Sequence, residues 1–294
     1  GVLDLAARWA DPEAVLALDV VRRFADPEYA DLSLAMRAGT EPGEVFDRLA
    51  KRGHVVVHAG EHERTAALAD VAAETGALVV ADTREQIADL NAAIRERRVT
   101  TGQVDDSRAL VTQAGERIGV GDRIATRHND YHLGVANRDT WTVTGIDPSG
   151  ALRLLGEHGH RSLPHGYASQ HVELAYATTV YGAQGETTTA THLVLGEHTG
   201  AASAYVGMTR GRRANTAHLV AEDVDDARRQ WIDTFSRDRA DLGPAHAADH
   251  AAEEAGKYAT PRQGDPPAHE RRPRPRQLTP QMSPPRDRGP GIGF

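Results

Sequence analysis

The sequence predicts an α/β protein: a parallel β-sheet wrapped by helices, with a small β-barrel inserted in it. Three observations predict this. Short apolar runs alternate with helix-length segments early in the chain and again after Val172. Between them, residues 111–172 turn to short strands of alternating polarity. From Pro261 onward Pro and Arg displace almost all aliphatic residues.

The elements follow in order. Residues 1–20 are rich in Ala and Leu and read as a helix or its end. A second helix runs from Pro27 to Arg37, with Asp26 as N-cap, Pro27 at the first helical position and Gly39 as the stop. Val55, Val56 and Val57 form a strand, and Glu61 to Thr75 a helix closed by Gly76. Leu78, Val79 and Val80 form the next strand, and Thr83 caps a helix reaching Arg98. Near residue 105 the character changes. Asp122–Arg127, Trp141–Ile146 and Ala151–Leu155 read as strands, the last two joined by a Pro148-Ser149-Gly150 turn. Helices return at Ala202–Thr209 and Val224–Phe235, with a His218–Val220 strand between them, and a last helix reaches towards Tyr258. The Pro/Arg tail buries too little surface to offset its ordering entropy and is expected to be disordered.

Composition narrows the function. The 294 residues contain no Cys, which excludes disulfides and thiolate metal sites and fits a reducing, cytoplasmic compartment. No run of 18 apolar residues and no signal peptide occurs, so no membrane role is expected. The start at Gly1 reads as an artificial boundary. The net charge is −8. Residues 261–294 hold seven Arg against three acidic residues, a balance of +4, which leaves −12 for the rest. Nucleic acid must therefore be met by a local groove and not by a basic face.

Two segments carry chemistry: Tyr176–Thr187 (YATTVYGAQGET) and Tyr205–Arg213 (YVGMTRGRR). Gly182 and Gly185 let backbone approach a ligand closely. Thr178, Thr179 and Gln184 can donate to phosphates or sugars. Arg210, at the end of a helix bearing Tyr205 and Met208, can offer a planar, bidentate cation to a phosphate. A glycine-rich turn and a solvated Arg cluster fit the spacing about equally well.

The first segment resembles motif V of superfamily 1 helicases, and the second resembles motif VI. Arg22-Arg23-Phe24, with Arg37-Ala38-Gly39 after a helix, resembles motif IV of the RecD-like branch. The wording Val172–Thr179 through Asn215–Val220 resembles the helicase region of conjugative relaxases of the TrwC and TraA type (the MobF class), over residues 20–245. The resemblance implies a RecA-like sheet of the P-loop NTPase type, with an SH3-like barrel as the insertion. Its implied organisation is the end of a preceding motor domain at 1–19 and the second RecA-like domain at 20–104 and 173–245. The barrel would occupy 105–172, and a helix end and tail 246–294.

The roles implied are specific. Arg210 becomes an arginine finger and Arg23 a second cation near the γ-phosphate. Gln184, Gly185, Glu186 and Thr187 face the nucleotide. Thr178, Thr179, Thr83 and Arg84 touch single-stranded DNA. Three positions depart from the pattern: Tyr181 stands where the family often has His, Gly182 where it often has Lys or Arg, and Thr187 where a Glu often meets the ribose. No Gly-x-x-x-x-Gly-Lys-[Ser/Thr] phosphate loop and no magnesium-binding Asp-Glu pair occur. ATP and Mg²⁺ are thus expected only with a missing first motor domain, and this chain alone is expected to be inactive. The implied partners are single-stranded DNA and the missing N-terminal motor and relaxase domains. The alternative is a non-catalytic DNA-binding or scaffolding remnant. His58-Ala-Gly-Glu-His62 spells an inverted zinc-protease motif, but a strand and Gly60 stand where a helix is needed, so no metal site is expected. Trp141 is expected in the core rather than as a base-stacking group.

Overall fold

The computed structural model describes residues 23–157, 159–184 and 186–237. The expected helix at 1–20, the helix end near Tyr258 and the Pro/Arg tail lie outside them. Asp26 accepts from Glu28 N–H and opens α1 (Pro27–Ala38), and Gly39 closes it at φ 64°, a left-handed value that glycine adopts without strain. The helix α2 (Pro42–Lys51), which the sequence reading passes over, follows directly. Then come β1 (Val55–His58), α3 (Glu61–Thr75) and β2 (Leu78–Ala81). The next helix, α4 (Arg84–Thr100), begins with a full capping box between Thr83 and Gln86. Arg95, Asn91 and Leu90 lie on its buried side.

The chain then builds β3 (Asp105–Val111), β4 (Arg117–Val120), β5 (Arg123–Thr126), β6 (Thr140–Ile146), β7 (Leu152–Gly156) and β8 (Gly159–Leu163). After α5 (His165–His171) and β9 (Val172–Leu174) it returns through β10 (Ala177–Thr179), β11 (Thr188–Val194), α6 (Ala201–Gly207), β12 (Gly211–Val220) and α7 (Val224–Ser236).

One sheet has the order β1-β12-β11-β2-β10, and every pairing in it is parallel. Strand alternation splits its contacts between two cores. Leu78 and Val80 pack with Phe46, Leu193, Met208 and Trp231 on one face. Val79 and Ala81 pack with Leu68, Ala72, Leu90 and Ile94 on the other. Phe46 and Phe235 flank the fully buried Trp231, at ring distances of 6.1 and 4.7 Å, and fasten α7 to α2.

The β-rich insertion is a five-stranded antiparallel sheet, order β8-β7-β6-β5-β9, beside a two-stranded β3-β4 ribbon. The barrel expected from the sequence does not close among the described residues: β8 and β9 remain edges, and β3 and β4 pair only with each other. Trp141 lies in this core, 3% exposed. One buried carboxylate fastens the insertion to α4. Asp122 is fully buried and accepts from Arg95 Nε at 2.9 Å, Gly119 N–H at 2.6 Å and the Tyr176 hydroxyl at 2.6 Å. Asn91 completes the joint. Its Oδ1 accepts from the amides of Tyr176 (3.0 Å) and Ala177 (2.8 Å), and its Nδ2 donates to the carbonyl of Leu174 (3.1 Å). Main chain crossing from one sheet to the other has no ladder partner there, so a buried amide side chain supplies it.

Candidate nucleotide and nucleic-acid site

At the N-terminal end of β12, an inner strand of the parallel sheet, the turn after α6 is held so that Arg210 leads straight into the strand. Met208 N–H donates to Ala204 O at 2.9 Å, Thr209 N–H to Val206 O at 3.2 Å, and the Thr209 hydroxyl to Tyr205 O at 2.8 Å. Arg210 donates from Nε to Val206 O at 3.0 Å and from Nη2 to Thr209 Oγ1 at 3.1 Å. The next residue must be glycine. A Cβ on Gly211 would meet Ala214 O at 2.0 Å, because Asn215 exchanges two hydrogen bonds with Gly211 across a tight bend.

Arg23 reaches the same place from the other end of the described chain. Its Nη1 donates to Thr209 O at 2.7 Å, Ala25 N–H donates to Arg212 O, and the Tyr29 hydroxyl donates to Met208 O. Arg210 is 9% exposed, and burial, then the charge of Arg23, pulls its pKa below the usual arginine range. Among the described residues no carboxylate pairs with either guanidinium; their hydrogen bonds go to main chain and one hydroxyl. Two close cations without an acid form a place that an anion completes.

The loop between β10 and β11 reaches two clefts. It is wound tightly: Gly182 N–H bonds to Thr179 Oγ1 at 2.9 Å, and Ala183 N–H bonds to Thr179 O at 2.8 Å. A Cβ at Gly182 would lie 2.1 Å from Thr178 Oγ1, so a Lys or Arg there would displace the threonine. Half-buried Thr178 and Thr179 line a groove of about 330 Å³ with Arg84, Asn91, Arg127, Glu116 and Glu173. Gly182, Gln184, Glu186 and Thr187 line a second cleft of about 490 Å³ with Arg123, Arg138 and Arg212. The loop is tied to the insertion at two points, Arg138 Nη1 to Tyr181 O at 2.7 Å and Arg123 to Glu186 at 3.7 Å. Thr188 N–H donates to Arg210 O at 3.1 Å and links the loop to the arginine pair.

The structure thus brings Thr178, Thr179 and Arg84 into one groove, and Gln184, Glu186 and Thr187 into the neighbouring cleft. Gly185 lies outside the described residues. Thr83 stands apart: its hydroxyl accepts from Gln86 N–H, and it lines a separate hollow with Glu61, Arg64 and Thr65. Sequence reasoning missed Arg123, Arg127 and Arg138, which come from the insertion and have no motif around them. It also missed two acids in the groove. Burial lifts the Glu116 carboxyl to about 7, and burial lifts Glu173 as well, although Arg127, 3.2 Å away, opposes this. The zinc-like spelling dissolves: His58 ends β1 while His62 lies in α3. His58 instead joins a chain of three imidazoles. His58 Nε2 lies 2.9 Å from His218 Nδ1, and His218 Nε2 lies 2.8 Å from His192 Nδ1.

No family model matches the chain. Over 98 residues it is 36% identical to the uncharacterized protein Rv2311 of Mycobacterium tuberculosis, spanning 32% of this chain and 56% of that protein. It is 30% identical over 144 residues to the multifunctional conjugation protein TraI of Escherichia coli, spanning 47% of this chain and 8% of TraI. It is 30% identical over 140 residues to the conjugal transfer protein TraA of Agrobacterium fabrum, spanning 46% of this chain and 12% of TraA. The chain therefore spans about half of Rv2311 and about a tenth of the conjugation proteins. Bacteroides Pif1 bound to ssDNA shares its fold, with a TM-score of 0.50 at 12% identity over 81% of this chain and 56% of that one. Close to half of the chain is homologous to conjugation proteins, the relatives that its motifs imply.

Proposed function

We propose that this chain is the second motor domain of an ATP-dependent DNA helicase of the conjugative relaxase type, in the RecD-like branch of superfamily 1. The observation that carries this reading is the convergence of Arg23 and Arg210, close together and with no acid paired to either among the described residues, at the N-terminal ends of β11 and β12, where the β10–β11 loop also ends. Such a pair suits the γ-phosphate of a nucleotide held by a phosphate-loop domain. Charge that develops on the transferring phosphoryl group is what a buried guanidinium stabilises best. Glu186, Gln184 and Thr187 line the cleft that would take the rest of the nucleotide. ATP with Mg²⁺ would supply the scissile phosphate; this chain's part is to hold its two cations in place.

Thr178, Thr179, Arg84 and Arg127 would hold the sugar–phosphate backbone of single-stranded DNA in the smaller groove. The loop reaches both places, so it is the element that passes nucleotide state to the strand. The insertion is read as the counterpart of an SH3-like subdomain, here an open sheet and ribbon, resting on that loop through Arg123 and Arg138. Hydrolysis that requires DNA, a joined phosphate-loop domain and Arg210 is the expected behaviour. Hydrolysis indifferent to Arg210 contradicts it.

A further inference from the structure

The insertion's longest turn, between β5 and β6, does something that the helicase motifs leave unassigned. Tyr131 sits in it at 95% exposure, the most exposed of the large apolar side chains described. The turn that carries it is not loose. Asp130 and Val135 exchange main-chain hydrogen bonds at 2.9 and 3.1 Å. Asp130 Oδ1 accepts from His132 and Leu133 N–H, Asn129 Oδ1 from Asn137 N–H, and Asp139 Oδ2 from Ala136 N–H. Val135 is buried, and Arg161 Nε donates to Gly134 O. An aromatic ring left in water on a fixed turn meets its ligand with little ordering cost.

Both ends of this turn lie at the clefts. Arg127 lines the groove of Thr178 and Thr179, and Arg138 lines the cleft of Gln184 and Glu186. Arg138 holds φ at 74°, a left-handed value unusual for arginine, while donating to Tyr181 O. Backbone strain of this kind persists where the surroundings over-determine it. Tyr131 follows Arg127 by four residue steps, so its Cα lies within about 14 Å of the Arg127 Cα at the groove wall. That falls inside the footprint of a strand covering on the order of 4–16 nucleotides.

We infer that Tyr131 is a stacking platform for a base of the single strand whose backbone lies in the Thr178–Arg127 groove. The ligand is an unpaired nucleobase, with no sequence preference, since every base has a π-face. This rests on the reading of the groove as a nucleic-acid site. The test uses the whole chain at low salt, titrated against a labelled 15-nucleotide dT strand and an abasic deoxyribose-phosphate strand of equal length. Wild type should prefer dT. Tyr131→Ala should lose at least about fivefold on dT and little on the abasic strand. Tyr131→Phe should keep the preference, and Tyr131→Trp should keep it with its fluorescence quenched by dT. Unchanged dT affinity in Tyr131→Ala, or an equal loss on both strands, overturns the stacking role while leaving the groove reading intact. Failure of wild type to bind either strand overturns the groove reading and the inference with it.

Discussion

The guanidinium of Arg23 donates, across 186 residues of sequence, to the main-chain carbonyl of Thr209 at 2.7 Å, and so stands beside Arg210. The contact costs the protein some electrostatic energy, since each cation disfavours the other. Arg23→Ala should therefore leave stability unchanged or slightly raised in the free chain, by up to about 1 kcal/mol. A urea titration checks this. A loss of several kcal/mol would mean that Arg23 holds the fold rather than a ligand.

Asp122 should be the most sensitive carboxylate in the insertion. Asp122→Ala strands Arg95 beside Asp106 alone, and removes the partners of the Tyr176 hydroxyl and Gly119 N–H. Losing one side of a buried pair costs about 3–5 kcal/mol. Equilibrium denaturation should show that loss, or a separate early transition of the insertion. A change under 1 kcal/mol would contradict the buried network.

The imidazole chain predicts acid sensitivity. Burial, then the neighbouring His192 and His58, depresses the His218 pKa from 6.5 to about 3, and burial depresses His58 and His192 too. A folded-state pKa below the unfolded value means that the unfolded chain takes the proton first. Stability is full above about pH 6.5 and falls as pH drops from there towards 3, by up to about 1.4 kcal/mol per pH unit for each such group. His218→Asn should flatten that slope between pH 6.5 and 4. An unchanged slope would place the acid sensitivity elsewhere.

Glu116 makes the groove itself pH-dependent. Its carboxyl, lifted to about 7, is mostly neutral below that value and charged above it. Single-strand affinity should therefore fall as pH rises from 6 to 8, on top of its salt dependence. Glu116→Gln should bind more tightly at pH 8 and lose most of this trend. If wild type and Glu116→Gln show the same pH profile, Glu116 does not face the phosphates. In stability the sign is the reverse of the imidazole case: Glu116 adds stability below about pH 4.5 and loses it as pH rises through 7.

Much of the parallel sheet is legible in the sequence because local signals there agree with the tertiary outcome. Asp26, Pro27 and Gly39 bound α1, and Thr83 opens α4 with Gln86 three residues on. The Glu61–Thr75 helix stops at Gly76, whose φ of 68° suits glycine. The short strands β9 and β10 were not legible. Three residues each carry no periodicity, and a buried Asn91 from α4 supplies their missing hydrogen bonds. Barrel closure was not legible either, since alternation specifies a two-faced sheet and not how its edges meet. Within the candidate site, Arg210 and Thr178 stand in recognisable wording. Arg123, Arg127 and Arg138 line its clefts through tertiary contacts that seat the insertion, among them Asp122–Arg95 and Arg138–Tyr181, and no local pattern signals these.

The reading of Arg210 meets its most direct test in DNA-stimulated ATP hydrolysis by this chain joined to a superfamily 1 phosphate-loop motor domain. The chain alone should show no turnover, because no phosphate loop occurs in its 294 residues. In the joined protein Arg210→Ala should lose on the order of 10³–10⁵ in rate with little change in nucleotide affinity, since the cation meets charge that develops in the transition state. Arg210→Lys should also fail, because it keeps the charge and lacks the planar fork. Exposed Arg213→Ala should stay near wild type. Near-normal hydrolysis by Arg210→Ala, or an equal loss in Arg213→Ala, would contradict the assignment of Arg210 as the cation that serves the γ-phosphate.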